Sequence, residues 1–171
     1  MNQVEKFPIE SVEAFGLAYF NHLNSVLNNI DMQPVTDMVD ALLAARERGS
    51  KIYFIGNGGS ASTAGHFAND LSVGTRQNEK PFKAISLSDN VSILTALGND
   101  IRYENVFSRQ IELLGDADDV VVAISASGNS PNLVNGIEAA KRLNMQTVAF
   151  TSFDGGAIST SAEICVHVPA G

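Results

Sequence analysis

Residues 51–74 combine a glycine-rich loop with two titratable side chains. The segment opens with an uninterrupted apolar run at 52–55, which predicts a parallel strand buried on both faces. The loop 56–60 then permits positive φ angles and close approach of a ligand to the backbone, and we expect Ser60 to cap a following helix. Because a helix start presents unpaired N–H groups and a partial positive charge, the pattern predicts a phosphate site that needs no basic side chain.

The two titratable side chains are His66 and Asp70, which lie four residues apart. On a helix this spacing places both on one face, about one turn above the loop. A phosphate site and an acid–base pair would therefore share one element. A plainer interpretation stays open, in which His66 is a packed, hydrogen-bonded histidine and Asp70 is a solvated surface residue.

A second loop of similar chemistry spans residues 125–131, with the sequence SASGNSP. It follows an apolar run and opens a helical pattern, so Ser130 is expected at the N-cap and Pro131 at the first helical position. Three serines, one glycine and a helix start would form an uncharged cup for a phosphate group. An ordinary hydrophilic turn with a capping serine is the alternative.

The remaining pattern predicts the elements that position these loops. Apolar runs at 83–87, 120–125, 147–151 and 163–168 follow the first strand, with helical patterns at 89–98, 103–114 and 131–143 between them. Two longer helical patterns, at 9–30 and 34–48, precede the first strand, with Pro34 near the first helical position and Gly49 just past the end. Strand and helix in alternation predict a three-layer, doubly wound α/β sandwich around a five-stranded parallel sheet of the flavodoxin-like kind. Since ligands bind beyond the carboxyl ends of such strands, we expect loops 56–60, 86–90 and 125–130 to lie near one another.

Length and charge set further expectations. The 171 residues predict a single domain, with helices over 1–49 and the α/β core over 50–171. A formal charge of −8 argues against binding to nucleic acid or to an anionic membrane surface. The absence of a long apolar stretch or a signal-like start in the sequence predicts a cytoplasmic protein without membrane association. Cys165 is expected to be a buried structural thiol, and His22 and His167 to be structural or exposed.

A dinucleotide site is a weaker interpretation of the first loop. The spacing Gly56-x-Gly58-x-x-Ala61 matches a loose form of the dinucleotide fingerprint. That fingerprint also requires an acidic residue about 20 positions later, and Asp89 comes too late in the chain. A dinucleotide site would also leave the serine loop unexplained, so we disfavour an NAD-dependent oxidoreductase.

Several spaced motifs together resemble one family. The stretches GNGGSAS, HFANDL, LTALGNDI, FSRQIELLG, ISASGNSPN and FDGG follow one another between residues 51 and 169. In that order they resemble the sugar isomerase (SIS) domain and, within it, the sedoheptulose 7-phosphate isomerases, also called phosphoheptose isomerases. The resemblance implies an α/β protein that assembles as a homotetramer. It also implies conversion of sedoheptulose 7-phosphate to D-glycero-D-manno-heptose 7-phosphate, on the route to the heptose of lipopolysaccharide or capsule.

The same resemblance implies roles for individual residues. Those that would bind substrate are Asn57, Gly58, Gly59, Ser60, Asn99 and Asp100, and those that would hold the phosphate are Ser125, Ala126, Ser127 and Ser130. His66 matches a zinc ligand, and Asp70 stands where the family has a glutamate that is both zinc ligand and catalytic base. A carboxylate base fits the chemistry, because moving a carbonyl from C2 to C1 through an enediol requires proton transfer between the two carbons. A zinc ion would polarise the carbonyl.

Two departures from the family pattern qualify this expectation. Asp70 is one methylene shorter than glutamate, and the sequence stops at Gly171, before the helix whose glutamine and histidine complete the family's zinc site. We therefore expect weak zinc binding and slow isomerisation unless another subunit supplies groups. The alternative function is a non-catalytic SIS module that binds a sugar phosphate or bridges proteins, like the DnaA-initiator-associating protein.

Overall fold

The computed structural model describes residues 7–8, 10–76 and 79–170. Two helices come first, α1 (Val12–Asn28) and α2 (Met32–Arg48), and an alternating α/β region follows. Its strands are β1 (Lys51–Gly56), β2 (Lys83–Ser86), β3 (Val120–Ser125), β4 (Gln146–Thr151) and β5 (Ile164–His167). Its helices are α3 (Gly59–Asn69), a π-helix (Asp70–Gly74), α4 (Val91–Asp100), a 3-10 turn (Tyr103–Asn105), α5 (Val106–Leu114), α6 (Pro131–Arg142) and α7 (Gly156–Ser161).

The five strands form one parallel sheet in the order β2-β1-β3-β4-β5. This is the flavodoxin-like order of doubly wound sheets, and it confirms the predicted fold class. The strand order changes direction between β1 and β3, which are neighbours in register from Ile52 with Val120 to Gly56 with Ile124. Ligand sites of such sheets lie at this switch point, so the loops after β1 and β3 occupy the expected position.

The sheet separates two apolar cores, because successive side chains of β1 point to opposite faces. Tyr53 and Ile55 belong to the core covered by α5, α6 and α7. Ile52 and Phe54 belong to the core covered by α2 and α3. Both faces of the central strands are thus fully covered, which is why their sequences are apolar without alternation.

The structure refines the predicted helices. The first helix was expected from residue 9, which lies outside the described residues; α1 begins at Val12, after Ser11 caps it by accepting a hydrogen bond from the Ala14 amide. The second begins earlier than expected, with Asp31 as the N-cap, so Pro34 is its third residue. Gly49 ends α2 in the left-handed conformation, as expected. Within the described residues, no helix has the length and apolar character to cross a membrane.

The expectation for Cys165 was wrong in part. The thiol is half-buried, because β5 is an edge strand of the sheet, and its Sγ lies 3.3 Å from Thr151 Oγ1. The same Thr151 hydroxyl lies 3.0 Å from His167 Nδ1. The ring of His22 packs edge-on against Phe7, with 5.4 Å between the ring centroids. These contacts fit structural roles for both histidines.

A buried carboxylate anchors the amino-terminal edge of the sheet. Asp119 is only 2% exposed. Its two oxygens accept hydrogen bonds from the backbone amides of Lys51, at 2.7 Å, and of Asp116, at 2.9 Å. The Lys51 ammonium lies 3.4 Å from the same carboxylate and donates to Asp116 at 2.8 Å. That hydrogen bond to Asp116 raises the pKa of the ammonium group above its usual range.

Asp119→Ala should lower the free energy of unfolding by about 2 kcal/mol, because two partly buried backbone N–H groups lose their acceptor. Urea denaturation at pH 7 measures the change. Asp40→Ala, an exposed position on α2, is the matched control and should stay within about 0.5 kcal/mol of the wild type. Equal denaturation midpoints for the two variants would contradict the anchoring role.

Candidate functional site

The loop after β1 forms a helix start with open backbone amides. The Asn57 carbonyl accepts hydrogen bonds from the amides of Ser60, at 2.9 Å, and Ala61, at 3.3 Å. Gly58 is the N-cap, with a φ of 53°. Among the described residues, the amides of Gly58 and Gly59 have no hydrogen-bond acceptor. A Cβ added at either glycine would meet nothing within 4 Å, so a ligand can reach both amides.

The expected cap at Ser60 was wrong. Ser60 lies inside α3 as its second residue, and the helix has no side-chain cap. The helix starts early because the chain turns directly out of β1. A Cβ added at Gly56 would lie 2.6 Å from the backbone carbonyl of Ser60, so only glycine permits this approach.

The loop after β3 leaves polar groups without protein partners. Ser130 is the N-cap of α6 and Pro131 its first residue, as expected, but the Ser130 side chain makes no capping hydrogen bond. Ser125 is buried, and its hydroxyl accepts from the Gly128 amide at 3.1 Å. Within the described chain, the amides of Ala126, Ser127 and Ser130 have no acceptor. These amides and the Ser130 hydroxyl can therefore hold an anion.

Close backbone contacts fix the shape of this serine loop. Gly128 has a φ of 64°, and a Cβ there would lie 1.9 Å from the Gly155 carbonyl oxygen. Asn129 Oδ1 accepts from the Ala157 amide at 3.0 Å, at the start of α7. The Ser152 amide donates to the Ala126 carbonyl at 3.0 Å. Helix α7, which the sequence pattern did not predict, thus holds the serine loop in place through these contacts.

An amide pair joins the two loops. Asn57 Nδ2 donates to Asn132 Oδ1 at 2.9 Å, and Asn132 Nδ2 donates back to Asn57 Oδ1 at 2.8 Å. Asn132 is the second residue of α6, so the pair links the start of α6 to the loop after β1. The loop after β2 is also attached there, because the Ser88 hydroxyl donates to the Gly56 carbonyl at 3.1 Å. The structure therefore brings the three predicted loops together.

Asn99 and Asp100 end α4 and are exposed. Asn99 Nδ2 donates to Asp100 Oδ1 at 2.8 Å. Three residues further on, the Tyr103 hydroxyl donates to Asn57 Oδ1 at 3.1 Å. This contact attaches the segment that follows α4 to the same group of loops.

His66 and Asp70 form the expected pair on one face of α3. His66 Nε2 lies 3.0 Å from Asp70 Oδ2, and the two side chains are 76% and 60% exposed. They open into a groove of about 580 Å³, lined by Ser62, Thr63, His66, Phe67, Asp70, Leu71 and Thr75. All of these residues belong to α3 and the segment after it. None of the residues that line this groove belongs to the serine loop, residues 125–131.

Asp70 also marks a change in the backbone. The α-helix gives way to a π-helix at this residue, and the Asp70 carbonyl accepts from the Thr75 amide at 3.0 Å. Short π-helical turns occur often at functional sites, where they redirect side chains. The apolar spacing predicted only a continuous helix here.

Within the described residues, the expected donors for a metal ion are His66 and Asp70. Across residues 7–8, 10–76 and 79–170, no group of three His, Cys, Asp or Glu side chains is arranged to hold a metal. A structural zinc site uses about four ligands and a catalytic one about three. The described part of the chain, with His66 and Asp70 alone, does not by itself fit zinc.

The sequence pattern did not identify two residues that contact Asn57, namely Asn132 and Tyr103. Asn132 is 2% exposed and Tyr103 is 59% exposed. The sequence feature that could have identified Asn132 is its position as a polar residue at the second place of a helix, directly after a capping serine and a proline. That signal does not reveal a partner 75 positions away.

Comparison with known proteins identifies the family of this chain. The family model described as SIS domain matches residues 18–152. A probable phosphoheptose isomerase of Thermoplasma acidophilum is 41% identical over 140 residues, which are 82% of this chain and 77% of the relative. The phosphoheptose isomerase of Helicobacter pylori strain P12 is 40% identical over 154 residues, which are 90% of this chain and 80% of the relative.

A solved structure matches the fold as well. The phosphoheptose isomerase of Neisseria gonorrhoeae superimposes with a TM-score of 0.82 at 32% identity, over 93% of this chain and 86% of that one. The overall fold of this chain is therefore similar to that of a solved phosphoheptose isomerase.

Gly128→Ala should destabilise the protein by more than about 2 kcal/mol, because a left-handed φ costs a non-glycine residue 1–2 kcal/mol before the clash with Gly155 is added. Thermal unfolding measures the loss. Gly16→Ala is the control, since Gly16 lies within α1 and a Cβ there meets nothing within 4 Å. If both variants unfold at the wild-type temperature, the close packing of the serine loop is wrong.

Proposed function

The chain belongs to the SIS domain family, and on that premise we propose that it isomerises sedoheptulose 7-phosphate to D-glycero-D-manno-heptose 7-phosphate. Relatives at about 40% identity over most of the chain carry the name phosphoheptose isomerase. The chain is accordingly an isomerase of phosphorylated sugars in heptose metabolism. The non-catalytic module is not favoured by these relatives.

The observation that carries this function is the pair of uncharged loops joined by Asn57 and Asn132. We assign the phosphate to the serine loop, where the amides of Ala126 and Ser127 and the hydroxyl of Ser130 have no protein partner. Ser125 supports the loop through Gly128. The sugar would lie towards the first loop and the end of α4, where Asn57, Gly58, Gly59, Ser60, Asn99 and Asp100 provide N–H groups, a hydroxyl and a carboxylate.

We assign the proton transfer to Asp70. The carboxylate takes a proton from C1 of the ketose, the electrons form the C1–C2 double bond, and the C2 carbonyl oxygen takes up a proton to complete the enediol. Return of a proton to C2, with loss of the O1 proton, gives the aldose. The π-helix that starts at Asp70 offers a way for the backbone to offset a side chain shorter than glutamate. His66, 3.0 Å from Asp70, would hold the carboxylate in position.

Zinc is not needed for these assignments. His66 and Asp70 would supply two ligands to a zinc ion, as the family resemblance implies. The remaining ligands would have to come from outside the described residues of one copy, and removal of the C1 proton is assigned to Asp70 itself.

We further propose that the protein is a homotetramer that uses α1 as an interface. Of the residues in α1, only Val26 is buried. Large apolar side chains on this helix are exposed, among them Leu17 at 59%, Phe20 at 65% and Leu27 at 54%. A contiguous apolar face of this kind marks a protein–protein interface.

We propose that α1 and α2 form one domain with the α/β core, since α2 packs directly into the core beneath β1.

We also propose a cytoplasmic location, because a charged sugar phosphate does not cross a lipid bilayer unaided.

Turnover of sedoheptulose 7-phosphate, followed by product detection, tests the assigned reaction. Asp70→Asn should lower kcat at least about 100-fold, the typical contribution of a positioned acid–base group, while binding of the sugar phosphate persists. Asp40→Asn, exposed on α2, should keep wild-type turnover. Absence of turnover in the wild type with bound sugar phosphate would leave the non-catalytic module as the function, and full activity of Asp70→Asn would exclude Asp70 as the base.

Sedimentation equilibrium tests the assembly. Phe20→Glu places a charge on the exposed face of α1 and should reduce the mass to that of a smaller species, because burying an unpaired charge is unfavourable. Leu113→Glu, at a 70% exposed position on α5, is the control and should keep the wild-type mass. A monomeric wild type would refute the proposed tetramer.

A further inference from the structure

Asn132 is a buried carboxamide whose hydrogen bonds reach another loop. It is 2% exposed and lies beside Leu133, which belongs to the core between the sheet and α6. Burial of a polar group is favourable only when that group is hydrogen-bonded. Both ends of the Asn132 carboxamide meet this requirement through Asn57, at 2.8 and 2.9 Å.

The hydrogen bonds at Asn57 determine what this side chain can still do. Its Oδ1 has two acceptor sites, and these receive the Asn132 amide at 2.8 Å and the Tyr103 hydroxyl at 3.1 Å. Its Nδ2 has two protons, and one is donated to Asn132 at 2.9 Å. One N–H group of Asn57 remains, so the side chain can act on a ligand only as a donor.

We propose that Asn132 and Tyr103 are positioning residues that fix the Asn57 carboxamide with its free N–H towards the substrate. This inference deepens the proposed function and rests on it in one respect: the ligand of Asn57 is a sugar phosphate. A sugar phosphate presents hydroxyl, carbonyl and phosphate oxygens, all of which accept hydrogen bonds. The opposite orientation of Asn57 would direct its carbonyl oxygen at the substrate's carbonyl and phosphate oxygens, which have no proton to donate, and would repel them.

The pair also couples the two loops. Asn57 follows β1, whereas Asn132 lies in the first turn of α6, directly after Pro131 and the serine loop. A helix start is a rigid place for a side chain, because Pro131 fixes the backbone there. The reciprocal hydrogen-bonded pair thus helps to keep the distance between the proposed sugar-binding and phosphate-binding amides constant.

The variant Asn132→Asp tests this proposal through pH. A carboxylate accepts from Asn57 Nδ2 but has no proton for Asn57 Oδ1, whereas a protonated carboxyl group restores both hydrogen bonds. Apart from the introduced carboxyl group, the titratable group known to contact Asn57 is the Tyr103 hydroxyl. We expect the KM for sedoheptulose 7-phosphate to rise about tenfold at pH 8, because the hydrogen bond from residue 132 to Asn57 Oδ1 is lost. The KM should return towards the wild-type value as the pH falls to 5, with kcat changed less.

Three further variants separate positioning from a general structural effect. Asn132→Leu removes the pair at every pH, so its KM should be raised throughout without recovery at low pH. Tyr103→Phe removes one donor to Oδ1 and should raise KM about threefold, less than either change at Asn132. Asn144→Asp, exposed beyond the opposite end of α6, should behave as the wild type. Identical KM profiles for Asn132→Asp and the wild type would overturn the proposal.

The exchange rates of the two Asn57 Nδ2 protons with water, measured by NMR on ¹⁵N-labelled protein, test the positioning role independently of enzyme activity. In the wild type, one of the two Nδ2 protons should exchange slowly with water, because it is donated to Asn132. In Asn132→Asp, slow exchange should be lost at pH 8 and regained at pH 5. If this occurs in a protein without turnover, the proposed function fails and the positioning role stands. Equally fast exchange of both protons in the wild type would overturn the positioning role whatever the activity.

Discussion

The proposed recognition of an anion depends on the register of two parallel strands. β1 and β3 are neighbours, so the loops that follow them leave the sheet at the same edge and each opens directly into a helix. Two sets of unpaired backbone amides are thereby brought to the switch point of the sheet. The glycines and the Asn57–Asn132 pair keep this arrangement; they do not create it.

The acidic character of the protein makes such local recognition necessary. With a formal charge of −8, the molecule offers no general attraction to a phosphate group. Neither the loop 56–60 nor the loop 125–131 contains lysine or arginine. In the proposed site, binding comes from oriented amides and hydroxyls, and these groups stay oriented only if the backbone is held rigidly. The close contacts of Gly128 with Gly155, and of Asn129 with Ala157, supply that rigidity from α7.

The spacing of residues in the sequence predicted the elements that depend on strand or helix periodicity. The five apolar runs predicted β1 to β5 within a few residues, and the spacing of His66 and Asp70 placed them correctly on one face of α3. Ser60 was misassigned because the close approach at Gly56 starts the helix two residues early. Helix α7 was missed because it has only six residues and a single large apolar one, Ile158, so no apolar period is visible. The partnership of Asn57 with Asn132 joins residues 75 positions apart, and only the fold reveals it.

The central claim is that uncharged groups of the serine loop hold the phosphate of a sugar. The most direct measurement is a crystal structure of the protein with sedoheptulose 7-phosphate bound. The account predicts phosphate oxygens at hydrogen-bonding distance, roughly 2.7–3.2 Å, from the amides of Ala126 and Ser127 and the hydroxyl of Ser130. A phosphate bound instead by arginine or lysine side chains, with the serine loop left empty, would contradict it.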